Sequence, residues 1–129
     1  MIARYWIVSG IRTDYFPRKG DIVAIDFNLS SGSEIRKRRP ALAISNSRYS
    51  ALTGLAVVCP ITHAQNNRLR KTELFVGVKN DHVDGVVNPL QFHTFDYQTC
   101  SMWYLTKIDN IALRQVLQVV RDVIDAKEE

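Results

Sequence analysis

Lys19-Gly-Asp-Ile-Val-Ala-Ile-Asp-Phe27, followed by Asn28-Leu-Ser-Ser-Gly-Ser-Glu-Ile-Arg-Lys-Arg38 and then by Arg39-Pro-Ala-Leu-Ala-Ile44, reads as strand, polar loop, strand. Ile22, Val23, Ala24, Ile25 and Phe27 form a short apolar run between turn residues, and Ala41 to Ile44 form a second run after Pro40. The loop between them carries groups suited to a phosphodiester. Glu34 can take a proton, and Arg36, Lys37, Arg38 and Arg39 are four consecutive cations. A run of that kind also occurs as a solvated loop, so charge alone does not assign it.

Working outward, Ser45 or Asn46 can cap a short helix that Gly54 ends. Leu55 to Pro60 reads as a buried strand closed by its proline, with Thr62 where strand gives way to loop. Thr72 to Val78 resumes strand character, with Leu74, Val76 and Val78 on one face. Another strand runs from Val86 to about Phe95, and Trp103-Tyr104-Leu105 suggests one more. From Asp109 the period becomes 3.6, with Leu113, Val116, Leu117, Val120, Val123 and Ile124 on a stripe expected to pack against the sheet. Many short strands and one terminal helix predict a small, strongly bent, partly closed barrel.

The chain has 129 residues, of which 46% are hydrophobic, enough for one domain with a real core. Its net charge of +4 favours an anionic partner. Cys59 and Cys100 are too few and too far apart for a disulfide scaffold, which fits a reducing cytoplasm. Met1 to Val8 is too short for a signal peptide or a membrane span, so a soluble, unprocessed protein is expected. His63, His82 and His93 lack zinc-site spacing, and no Gly-rich nucleotide loop occurs, so neither a metal nor a cofactor is expected.

Gly20-Asp21, Gly32-Ser33-Glu34, Arg39-Pro40, Pro60-Ile61-Thr62, Asp84-Gly85-Val86-Val87 and Gln91-Phe92-His93-Thr94-Phe95-Asp96 stand in an order and spacing that resembles the MazF/PemK family of toxin endoribonucleases. The likeness spans a single domain from Lys19 to a helix at 109–125, leaving residues 1–18 as an extension. It implies a mainly β, SH3-like barrel of the MazF/PemK/CcdB type with a short helix and a C-terminal helix, assembled as a homodimer. It also implies a metal-independent, sequence-selective cut of single-stranded RNA by 2′-hydroxyl attack, restrained by an acidic antitoxin, with no membrane partner. The family places the residues matching Arg39 and Thr62 at the scissile phosphate and implicates the one matching Glu34. Ser33, Arg36, Lys37, Gln91, Thr94 and Asp96 are the matching RNA contacts.

His93 stands where the family has an arginine, and a histidine there is a candidate proton carrier. His63 is a second candidate, and His82 reads as a solvated turn residue. Two other functions fit such a fold: a gyrase-binding toxin of the CcdB type, and a non-catalytic RNA-binding or regulatory relative. The first resembles the same fold but relies on a tryptophan near the C-terminus. Here the chain ends Ala126-Lys-Glu-Glu129, with its tryptophans at Trp6 and Trp103.

Overall fold

The computed structural model describes residues 15–26, 38–63, 74–99 and 101–128. Among them the strands are β1 (Asp21–Asp26), β2 (Arg38–Ala43), β3 (Leu55–Thr62), β4 (Val76–Lys79), β5 (Asp84–Val87), β6 (His93–Asp96) and β7 (Met102–Lys107). Helix α1 (Ser47–Thr53) follows β2, and α2 (Asn110–Asp125) ends the chain. All pairings are antiparallel, in the order β4-β5-β3-β2-β1-β7, with β6 also paired to β3. The result is the mainly β, curled half-barrel with a C-terminal helix that the sequence predicts.

Local chemistry sets both helices. Asn46 Oδ1 accepts the Tyr49 amide at 2.9 Å, starting α1, and Gly54 at φ +77° donates to the Ser50 carbonyl to end it. Asp109 Oδ1 accepts the Ala112 amide at 2.8 Å and starts α2. Ala112, Val116 and Val120, one turn apart, are buried against Ile22, Leu42, Cys59, Ile61 and Val87. The predicted stripe stops short, however. Val123 and Ile124 are exposed, because the helix runs on past the core it covers.

The opposite face of the sheet is buried too. Val23, Ile25, Ala41, Ala56, Val58, Phe95 and Tyr97 form a second core, with Tyr15 and Phe16 packed on it. This explains why β1 reads as a continuous apolar run and not as an alternation. The covering segment is pinned through Asp21, which is only 2% exposed. Its carboxylate accepts from the Tyr15 hydroxyl at 2.6 Å and from the Arg18 amide at 3.1 Å, and pairs with Lys107 at 2.9 Å. Burial, reinforced by the bond to Asp21, pushes the Tyr15 phenol far above its ordinary value.

Strand β3 organises the sheet. Val58 to Pro60 pairs with β2 on one edge, while on the other edge Leu55 to Val58 pairs with β6 and Ile61–Thr62 pairs with β5. Contrary to expectation, Pro60 lies inside the strand. Its carbonyl accepts the Asn88 amide at 2.9 Å on the β5/β6 edge. The nitrogen of a strand residue points to the same edge as its carbonyl, so the missing donor falls at the seam between the two partner strands, where no ladder bond is lost. The predicted strand from Val86 to Phe95 is broken at that seam. Asn88 accepts the Leu90 amide at 3.0 Å and opens a 3₁₀ turn over Pro89–Gln91, so β5 and β6 are separate. Strand β4 begins only at Val76, and Leu74 is exposed.

Candidate active site

Three pieces of chain converge at one end of the sheet: the start of β2, the end of β3 and the turn leading into β5. They enclose a groove of about 430 Å³. Pro40, Ile61 and Val83 form its apolar lining, and Arg38, Arg39, Thr62, His63, His82 and Asp84 supply its polar groups.

Arg38 and Arg39, expected in the loop, are strand residues opposite Asp26 and Ile25. The long stem of an arginine suits a sheet surface while its charge stays in water. The two side chains alternate across the sheet and do different things. Across three strands Trp103 and Pro40 are the partners of Ala24. The Arg38 guanidinium carbon lies 4.3 Å from the centroid of the Trp103 ring, a cation–π contact between the start of β2 and β7. Arg39 is exposed on the next position. The β2–β3 pairing ends at Ala41 against Pro60, and beyond that last pair Arg39 on β2 and Thr62 on β3 both line the groove. Thr62 is held from the other side by pairing with Val86.

The remaining predicted residues lie elsewhere. His93 is opposite Val58, four residues back along β3 from Thr62, which at about 3.3 Å per residue is on the order of 13 Å away. It does not line the groove, and its Nδ1 lies 3.4 Å from the Gln91 carbonyl. Thr94, opposite Val57, alternates to the other face of β6. The Gln91 side-chain oxygen accepts from Asn88 Nδ2 at 3.0 Å. Glu34, Ser33, Arg36 and Lys37 lie outside the described residues.

Asp96 closes the turn after β6, accepting from the Gln98 and Thr99 amides at 3.0 Å each and from the Thr99 hydroxyl at 2.8 Å. Burial acts to raise its carboxyl, but the hydrogen bonds from Thr99 and Gln98 outweigh it and hold the group below the ordinary carboxylate range. The ionised form is therefore favoured by folding. Its contribution is complete above the ordinary carboxylate range and is lost as pH falls through the lower folded value. We expect the melting temperature of the wild type to drop more steeply between about pH 5 and pH 2 than that of Asp96→Asn. Parallel curves for the two proteins would remove this role.

Two groove residues were not expected in the site. His82 and Asp84 belong to the turn that Asn80-Asp81 and Asp84-Gly85 announce, yet only the β3–β5 pairing shows that this turn faces Thr62. Among the described residues no three His, Cys, Asp or Glu side chains are placed to hold a metal ion, and no helix is long and apolar enough to cross a membrane.

Comparison with known proteins bears on the fold and the family. Residues 18–124 match the family described as PemK-like, MazF-like toxin of type II toxin-antitoxin system. The endoribonuclease toxin MazF of Escherichia coli (strain K12) is 38% identical over 48 residues, 37% of this chain and 43% of that protein, so the match spans less than half of that relative. The crystal structure of MazF (Form-I) from Deinococcus radiodurans superposes with a TM-score of 0.70 at 26% identity, covering 85% of this chain and 97% of that one. MazE-MazF (Form-III) from the same organism gives 0.74 at 25% identity, with 88% and 100% covered. With the family match running from the segment before β1 nearly to the end of α2, the chain belongs to the PemK-like, MazF-like toxins of type II toxin-antitoxin systems.

Proposed function

We propose that the groove beside Thr62 cuts single-stranded RNA by attack of a 2′-hydroxyl on the adjacent phosphorus, leaving a 2′,3′-cyclic phosphate and a 5′-hydroxyl. The observation that supports this is Arg39 and Thr62 together in the lining of one groove that also holds a second arginine. A guanidinium fork can bind two phosphoryl oxygens and stabilise charge that grows on them, whereas its pKa above about 12 makes it a poor proton donor. The threonine hydroxyl can hold the phosphate or the attacking sugar. Unstacked RNA suits such a site, because the 2′-oxygen must come into line with the departing 5′-oxygen. The E. coli relative carries the name of an endoribonuclease toxin, and the Deinococcus relative is found with MazE. By the same likeness the physiological partner is an acidic antitoxin that covers the basic groove, the toxin is a homodimer, and it acts on RNA in the cytoplasm.

Among the described residues the groove lining contains two guanidinium groups and one carboxylate, unlike the clustered carboxylates of a magnesium site. Purified protein incubated with a mixed single-stranded RNA is therefore expected to cut at a restricted set of sequences and to do so in excess chelator. End mapping should find cyclic phosphates. Loss of cutting in chelator with recovery on adding one divalent metal, or 3′-hydroxyl ends, would overturn the mechanism.

A further inference from the structure

We propose that His63 and His82 form the proton-transfer pair of this groove, an assignment that rests on the RNA-cleaving reading above. Cleavage by a 2′-hydroxyl needs one group to take a proton and another to give one. Among the described lining residues, an arginine is a poor proton carrier, a threonine hydroxyl is a poor base, and a carboxylate such as that of Asp84 accepts without donating. Imidazole is the one side chain whose unperturbed pKa lets both forms coexist near neutrality, and two imidazoles line the groove.

The two histidines come from different segments of the chain. His63 directly follows Thr62, and the Ile61–Val87 and Thr62–Val86 pairs tie that end of β3 to β5. His82 sits in the turn before β5, whose backbone is locked by one residue. Asn80 Oδ1 accepts the His82 amide at 2.8 Å and the Val83 amide at 3.1 Å, and the Asn80 amide donates to the Val83 carbonyl at 2.9 Å. The ring is thus carried on a turn of defined shape. The space of about 430 Å³ lies within the roughly 300–1,000 Å³ of small-ligand pockets.

In the step itself, a neutral imidazole takes the 2′-hydroxyl proton as the 2′-oxygen bonds to phosphorus. Arg39 holds the charge on the non-bridging oxygens. The other ring, protonated, gives its proton to the 5′-oxygen as the P–O5′ bond breaks. Each turnover leaves the two rings with exchanged protonation, which water resets. The charged groups that line the groove with the two rings are Arg38 and Arg39 from β2 and Asp84 from β5, and Asp81 adjoins His82 in the turn.

Single-turnover cleavage of a short oligoribonucleotide should give a bell-shaped pH profile for the wild type. His63→Gln and His82→Gln should each slow cleavage by roughly 10² to 10⁴ and each remove a different limb of the bell, at unchanged melting temperature. His82→Asn serves where His82→Gln folds poorly. A substrate with sulfur in place of the departing 5′-oxygen needs no acid, so it should restore the variant lacking the acid and leave the other slow. Rates within tenfold of wild type in both glutamine variants, or both limbs intact, or a limb lost in only one of them, would overturn the pair. If Arg39→Ala is inactive while both histidine variants cut normally, the pair fails and the ribonuclease reading stands. No cutting of any RNA by the wild type at any pH overturns both.

Discussion

Arg39→Ala is expected to slow RNA cleavage by on the order of 10² to 10³, the usual consequence of losing one preorganised donor to a developing phosphoryl charge. Its fold should persist. The side chain is exposed, and Ile25 opposite it is enclosed by the second core through Val23, Ala41 and Val58. Melting temperature should therefore stay near wild type, as for surface substitutions in general, within about 0.5 kcal/mol. Arg39→Lys makes a sharper test. It keeps the charge but not the planar two-pronged donor, so it should recover only part of the rate. A folded Arg39→Ala protein that cuts at the wild-type rate would remove Arg39 from the chemistry.

The second large effect is expected at Gly85, which no reading of phosphate chemistry singles out. A methyl group there would run into the Thr62 carbonyl oxygen and lie 3.0 Å from Ile61 Cγ2 and 3.2 Å from the Thr62 carbonyl carbon. Two of these three atoms are backbone, so β5 must move away from the end of β3. Overpacking of this kind costs about 1–3 kcal/mol, and Gly85→Ala should lower the melting temperature accordingly. Cleavage should fall further than stability explains, because a shift of about 1 Å at a reacting group can cost on the order of 10²-fold. A Gly85→Ala protein with unchanged melting and unchanged rate would show that the two strands part without strain.

Where the fold was legible, the signal was local. Asn46, Gly54 and Asp109 act within three or four residues of themselves, and the two helices begin and end as their chemistry dictates. The misjudged places depend on partners far along the chain. Pro60 reads as a strand end until Asn88 is seen to occupy the edge where its hydrogen is missing. Arg38 reads as loop until Trp103 provides a ring to lie on. The same distinction divides the site. Arg39 and Thr62, marked in the sequence by their neighbours Pro40 and Pro60-Ile61, both line the groove, whereas His82 needed the pairing of β5 with β3 to bring its turn there. His93 failed to join them because β6 and β5 meet β3 on either side of the seam at Pro60.

Cys59 lies on β3 between Val58 and Pro60, fully enclosed, and burial pushes its thiol up to about 12. Only the thiolate reacts with alkylating agents, so in the closed fold this sulfur is protected twice, by lack of access and by lack of charge. Its labelling must wait for the strand to open. At a reagent concentration low enough for reclosing to win, the labelling rate divided by that of a free thiol reports the opening equilibrium. Native chemistry has therefore placed a built-in clock three residues from Thr62, one that measures how often the central strand comes apart with no probe added to the molecule.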